Sequence, residues 1–89
     1  MSEQGSESNR SRLVWRCRRG VKELDLLLLG WLNTQFEGAS PQLKAGFEAL
    51  LELPDPLLLR YVLGKEAPEQ AQLAAVIDAI VNRDRLISG

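Results

Sequence analysis

Leucine fills 17 of the 89 positions of this chain, whereas valine, isoleucine and threonine together fill nine. That balance selects helices, because unbranched side chains keep their rotamer freedom in a helix and β-branched ones do not. None of the apolar stretches approaches the roughly 20 residues needed to cross a bilayer; the leucine run itself is only Leu26 to Leu29. The segment Met1 to Asn9 is polar and carries Glu3 and Glu7, so it has neither the apolar centre of a secretory signal nor the acid-poor character of a mitochondrial presequence. A cytoplasmic bacterial protein without a membrane partner is the expectation.

The pattern along the chain divides into five helices. Residues 1–8 have one apolar side chain and no periodicity, and are expected to form a disordered tail ahead of a single domain at 9–87. A first helix at about Ser11 to Arg18 gathers Leu13, Val14 and Cys17 on one face, and Arg19-Gly20 breaks it. A second, from about Gly20 to Phe36, repeats Leu24, Leu27, Leu28, Trp31, Leu32 and Phe36 at helical spacing. Leu26 and Leu29 widen that stripe, which predicts a central helix contacted from several sides. Ser40-Pro41 opens a third helix with an N-cap followed by proline, and its face is Leu43, Phe47, Leu50 and Leu51. Pro54 stops it, and Asp55-Pro56 repeats the cap-then-proline signature for a short fourth helix ending at Gly64. Pro68 is expected at the first position of a fifth, running to about Arg83 with Leu73, Val76, Ile77 and Ile80 inward. The fold class is therefore all-α, a compact five-helix bundle with antiparallel neighbours.

Composition narrows function. The absence of histidine removes the commonest general base and metal ligand. The single Cys17 can form neither an internal disulfide nor a cysteine-rich zinc site. The seven glycines are scattered outside any phosphate-loop spacing. Carboxylate pairs exist at Glu23/Asp25 and Glu48/Glu52, but the first two point in different directions on a helix and the second pair reads as solvated surface. These features argue against an enzyme and for a protein that acts by binding, without a stably held cofactor or metal.

Charge is unevenly spread. Residues 1–22 hold six bases and two acids, for +4, while residues 23–89 hold five bases and ten acids, for −5. Between Arg10 and Lys22 there is no acid, so this segment presents concentrated positive charge. Trp15 sits off the inferred apolar face beside Arg12, Arg16 and Arg19, a composition that suits either a core tryptophan or an interface anchor. Cys17 reads as a small buried hydrophobe or, if exposed among Arg16, Arg18 and Arg19, as a reactive thiol. Gly20 reads as a turn, and Glu23 as a first-turn acid facing the positive end of the helix dipole and able to pair with Arg19 at i, i+4.

The string from Trp15 through Arg16, Cys17, Arg18, Arg19, Gly20, Val21, Lys22, Glu23, Leu24 and Asp25 to Leu26 resembles the RGxxE segment of the succinate dehydrogenase flavinylation (FAD assembly) factor family. The likeness includes the Trp five residues before the Gly, the doubled Arg18-Arg19, the sequence after Glu23 and the Asp55-Pro56 opening of a fourth helix, and extends over about residues 9–85. It implies a small five-helix protein that is not itself an enzyme. Such a protein binds the FAD-containing flavoprotein subunit of succinate dehydrogenase, and in bacteria also that of fumarate reductase, and promotes covalent attachment of FAD to a client histidine. By position, Arg19, Gly20 and Glu23 match the signature, and Trp15, Arg16, Arg18 and Asp25 flank it. On this reading Gly20 allows close backbone approach, Arg16, Arg18 and Arg19 contact acidic client groups, and Glu23 orders or polarises the acceptor region. The flavin and the acceptor histidine would belong to the client, in keeping with a chain that has no histidine and no phosphate loop. A monomer is expected, since the apolar stripes pair off internally. Two other readings are nucleic-acid binding through Arg10 to Lys22, opposed by the acidic remainder and a pI of about 5.4, and a helical interaction module with an unrelated client.

Overall fold

The computed structural model describes the backbone of residues 2–88 and the side chains of residues 10–83. It contains five helices, α1 (Ser2–Cys17), α2 (Lys22–Thr34), α3 (Pro41–Leu50), α4 (Asp55–Val62) and α5 (Ala71–Ser88), and no strand among the described residues. The tail expected at 1–8 lies outside the residues whose side chains are described. None of the described helices is long and apolar enough to cross a membrane. The radius of gyration, 12.7 Å, is close to the about 12 Å of a compact chain of this length.

Local signals set three of the helix starts differently. At α3 the expected cap is present: the Ser40 hydroxyl accepts the Leu43 N–H at 3.2 Å, with Pro41 in the first turn. At α4 the cap is Pro54 rather than Asp55, and no side-chain cap bond forms. Asp55 is thereby the first helical residue, where its charge still complements the dipole. The fifth helix starts at Ala71 rather than Pro68. Ala67, which would have capped a helix from Pro68, has no side-chain oxygen, and the first helical bond is instead made from Ala74 N–H to Gln70 O at 3.0 Å.

The central helix is α5, which packs on α2, α3 and α4, most extensively on α3. This corrects the expectation that α2 is central. Leu24, Leu28, Trp31 and Leu32 of α2 are buried, but Leu26 is 63% exposed, so the broad leucine stripe serves two purposes. The face of α5 is as expected, with Leu73, Val76, Ile77 and Ile80 buried. At the middle of the core Trp31 packs on Phe47 with ring centroids 4.9 Å apart, and Phe36 closes the cluster 6.1 Å edge-on to Trp31. Aromatic contacts of this kind add about 0.5–1.5 kcal/mol beyond the area they bury. Gly46 is the point where α3 comes closest to α5, facing the Gln72 carbonyl and the Val76 side chain.

Candidate functional site

The connection between α1 and α2 is four residues long and begins where α1 ends at Cys17. Arg18 N–H bonds Trp15 O at 3.1 Å, a tightened last turn that satisfies one of the orphan carbonyls of the helix end. Gly20 then adopts φ +86°, a left-handed conformation costly for any residue with a β-carbon. Val21 is extended and supplies the carbonyl that accepts Asp25 N–H at 2.9 Å. The glycine break and the first-turn acids Glu23 and Asp25 thus stand where the sequence placed them, although α2 starts at Lys22 rather than at Gly20.

Arg19 is turned inward, its side chain only 14% exposed. Its Nε donates to Asp55 Oδ1 at 2.5 Å, Nη1 to Leu51 O at 3.0 Å and more weakly to Arg16 O at 3.4 Å, and Nη2 to Leu53 O. The planar guanidinium suits this multiple role because its five donors point in fixed directions. It sits at the carboxyl end of α3, where carbonyls lack helical partners and carry partial negative charge. Asp25, expected at the interface, is instead half-buried, its Oδ1 accepting the Arg19 main-chain N–H at 2.7 Å. The i, i+4 pair between Arg19 and Glu23 is not formed.

The remaining bases divide into two groups. Arg10 donates to Asn33 Oδ1 at 2.8 Å and approaches Glu37 at 3.7 Å, and Arg16 pairs with Glu52. Glu52 is therefore not simply a solvated acid, though a pair this exposed is worth at most about 1 kcal/mol. Arg12, Arg18 and Lys22 are exposed and make no ion pair among the described residues. The +4 segment consequently presents about half of its bases outward, while Arg16 and Arg19, expected to contact acidic client groups, are engaged within the chain.

Around this framework lies an open face. Trp15 is 75% exposed, so it is not a core tryptophan. Gly20 and Glu23 are exposed, nothing lies within 4 Å of the position a Gly20 β-carbon would take, and Glu23 has no hydrogen-bond or ion-pair partner among the described residues. Leu26, one turn beyond Glu23, adds an exposed apolar side chain that helical periodicity alone assigned to the core. Its signal in the sequence was the excess width of the leucine stripe. Cys17, by contrast, is fully buried, and burial pushes its thiol up to about 11 against the opposing pull of Arg19. It is a packing residue, not a reactive thiol.

No cluster of metal-binding side chains occurs among the described residues. A surface groove lined by Trp31, Gln35, Leu43 and Arg83 includes none of the residues of the α1–α2 turn. What the turn offers is an exposed surface: an accessible backbone at Gly20, the Glu23 carboxylate, the bases Arg12, Arg18 and Lys22, and the apolar side chains of Trp15 and Leu26. Such a surface can dock and orient a partner.

Residues 11–84 match the family described as flavinator of succinate dehydrogenase. Among similar proteins, the FAD assembly factor SdhE of Coxiella burnetii is 38% identical over 69 residues, covering 78% of this chain and 84% of that protein. The protein of the same name from Legionella pneumophila is 37% identical over 75 residues, covering 84% and 94% of the two chains. That of Colwellia psychrerythraea is 36% identical over 75 residues, covering 84% and 82%. The matched regions include the whole α1–α2 turn.

Proposed function

The chain belongs to the succinate dehydrogenase flavinator family, and from that premise we propose that its α1–α2 turn docks on the flavoprotein subunit of succinate dehydrogenase to promote covalent attachment of FAD. It is an assembly factor of succinate dehydrogenase flavinylation, not an enzyme. The observation that carries the docking assignment is the pairing of Gly20, whose backbone faces open space at φ +86°, with a Glu23 carboxylate that has no partner among the described residues. Gly64 after α4 shares the positive φ and the open surroundings; what sets Gly20 apart is the exposed Glu23 carboxylate beside it, and an accessible main chain next to such a carboxylate suits close approach to another protein.

The roles follow from exposure. Trp15 and Leu26 supply apolar area, Arg18 with Arg12 and Lys22 meets acidic client groups, and Glu23 orients or polarises the acceptor region. Arg16, Arg19 and Asp25 support this surface from behind. The flavin and the acceptor histidine are the client's, since this chain contains no histidine; the flavin supplies the covalent chemistry and the assembly factor supplies orientation and electrostatics. The flavoprotein of fumarate reductase is a second client on the same reading, and the protein acts as a cytoplasmic monomer. Nucleic-acid binding is disfavoured because Arg10, Arg16 and Arg19 are engaged internally, which leaves few phosphate contacts on an acidic body.

Expression of each flavoprotein subunit with and without this protein, followed by denaturing electrophoresis, tests the reading. Flavin fluorescence retained on the succinate dehydrogenase subunit is expected to rise strongly when the protein is present. Equal fluorescence in both samples would overturn the assignment.

A further inference from the structure

Asp55 is 36 residues from Arg19 in sequence yet lies against it in the fold. Its side chain does not cap α4, where Pro54 takes that position. Its carboxylate instead accepts from the guanidinium Nε, the one side-chain nitrogen of Arg19 that donates to no backbone carbonyl. The carbonyls of Leu51 and Leu53 belong to the segment that joins α3 to α4, so Arg19 ties that segment to the α1–α2 turn. On the other side of the same residue, the Arg19 main-chain N–H is held by Asp25 at 2.7 Å. The residue immediately before Gly20 is therefore fixed at both its backbone and its side chain, by two carboxylates from different helices.

We propose that Asp55 is a positioning residue for the flavinylation surface: acting through Arg19, it sets the backbone geometry from which Gly20 and Glu23 are presented. The functional half of this inference rests on the docking role proposed above; the geometric half does not. With Asp55 in place, the guanidinium has an ionic partner to offset its removal from water, and its directional bonds stay formed. Without it, Arg19 is a mostly buried cation bonded only to carbonyls, and the adjoining turn gains access to other conformations. Gly20 has little of its own to oppose that loss, since no neighbouring group lies within 4 Å of the position its β-carbon would take.

Amide hydrogen exchange resolved by residue provides the test, because the bond from Arg19 N–H to Asp25 reports the turn directly. In Asp55→Asn, exchange at position 19 is expected to accelerate about tenfold while core amides such as those of Leu28 and Val76 stay within about twofold of the unaltered protein. Covalent flavin on the client is expected to fall in the same variant and to return in Asp55→Glu, which keeps a carboxylate within reach. In an Arg19→Met background, Asp55→Asn should change neither quantity further; a role exerted only through the α4 dipole would persist there. Unchanged exchange at position 19 in Asp55→Asn, or an equal effect in the Arg19→Met background, overturns the positioning role. Failure of the unaltered protein to promote flavinylation would overturn the docking assignment instead, and the exchange data would still decide the geometry.

Discussion

Gly46 of α3 faces Gln72 of α5 so closely that a β-carbon on the glycine would lie 2.9 Å from the Gln72 carbonyl oxygen and 3.5 Å from Cβ of Val76. The obstacle is main chain, which cannot swing aside as a side chain can. Gly46→Ala is therefore expected to lower stability by up to about 2 kcal/mol: overpacking of a tight site costs roughly 1–3 kcal/mol, and the gain in helix propensity returns about 1. Gly30 provides the contrast, since its nearest obstacle is the flexible end of Arg83. Gly30→Ala should be neutral or stabilising by up to about 1 kcal/mol, at the cost of the bond from Arg83 to Thr34. Urea unfolding of the two variants side by side checks both signs.

The clamp at Arg19 makes a stability prediction independent of any client. Arg19→Lys keeps the charge but cannot match several acceptors held in one plane, and Arg19→Ala leaves carbonyls of Leu51 and Leu53 without their donor. The alanine variant is expected to lose about 3 kcal/mol, and the lysine variant a substantial fraction of that. A lysine variant as stable as the unaltered protein would show that the directional bonds contribute nothing.

Exposed Trp15 and buried Trp31 should behave oppositely. Trp15→Ala is expected to stay within about 0.5 kcal/mol of the starting stability and to weaken capture of the flavoprotein subunit at least tenfold. Trp31→Ala removes the centre of the aromatic cluster and is expected to cost about 3–5 kcal/mol. Calorimetry and a binding titration separate the two effects.

At the turn itself, Gly20→Ala meets no steric obstacle and carries only the conformational cost of φ +86°, about 1–2 kcal/mol. Glu23→Gln removes a charge with no ion-pair partner among the described residues, so circular dichroism should be unchanged and stability should fall by no more than the helix-dipole interaction, about 0.3–1 kcal/mol. Both should depress covalent flavin on the client, and Gly20→Arg should abolish it by adding bulk at the accessible backbone. Full flavinylation by Glu23→Gln would exclude a role for that carboxylate.

Cys17 links stability to alkaline pH. Its thiol titrates at about 11 in the folded chain against an ordinary 9.0, because burial disfavours the thiolate. Below pH 9 both states hold the proton and there is no contribution. Between pH 9 and about 11 the unfolded chain releases the proton first, so stability falls with rising pH, by roughly 2–3 kcal/mol over the window. Cys17→Ala lacks this contribution, so whatever stability it gives up by losing the sulfur should shrink as pH rises from 9 to 11. In the native protein at neutral pH the thiol should resist alkylation and react only on unfolding.

Helix number, the caps and the inward faces follow from interactions that act within one turn, which is why they are legible one segment at a time. Leu13 and Cys17 share a face by spacing and are both buried; Ser40 caps because its oxygen reaches Leu43 N–H three residues on. The same locality explains the misplaced starts, since Pro68 and Asp55 satisfy a local rule that other residues satisfied better or that a distant partner overrode. The RGxxE segment was recognisable by residue type, and the glycine break and the exposed glutamate were present in the pattern.

The sequence by itself determined an all-helical chain, a fully apolar interior without histidine chemistry, and a basic, glycine-broken segment as the place to look for function. Only the tertiary structure decided which of those basic and acidic residues are engaged within the chain and which face outward. Arg19 could have met Glu23 one turn away, and instead meets Asp55 across the fold; Asp25 turned back to the main chain, and Leu26 was left outside. Spacing ranks only neighbours along one helix, whereas a guanidinium is claimed by whichever carboxylate and carbonyls the packing of α1, α3 and α4 brings to it.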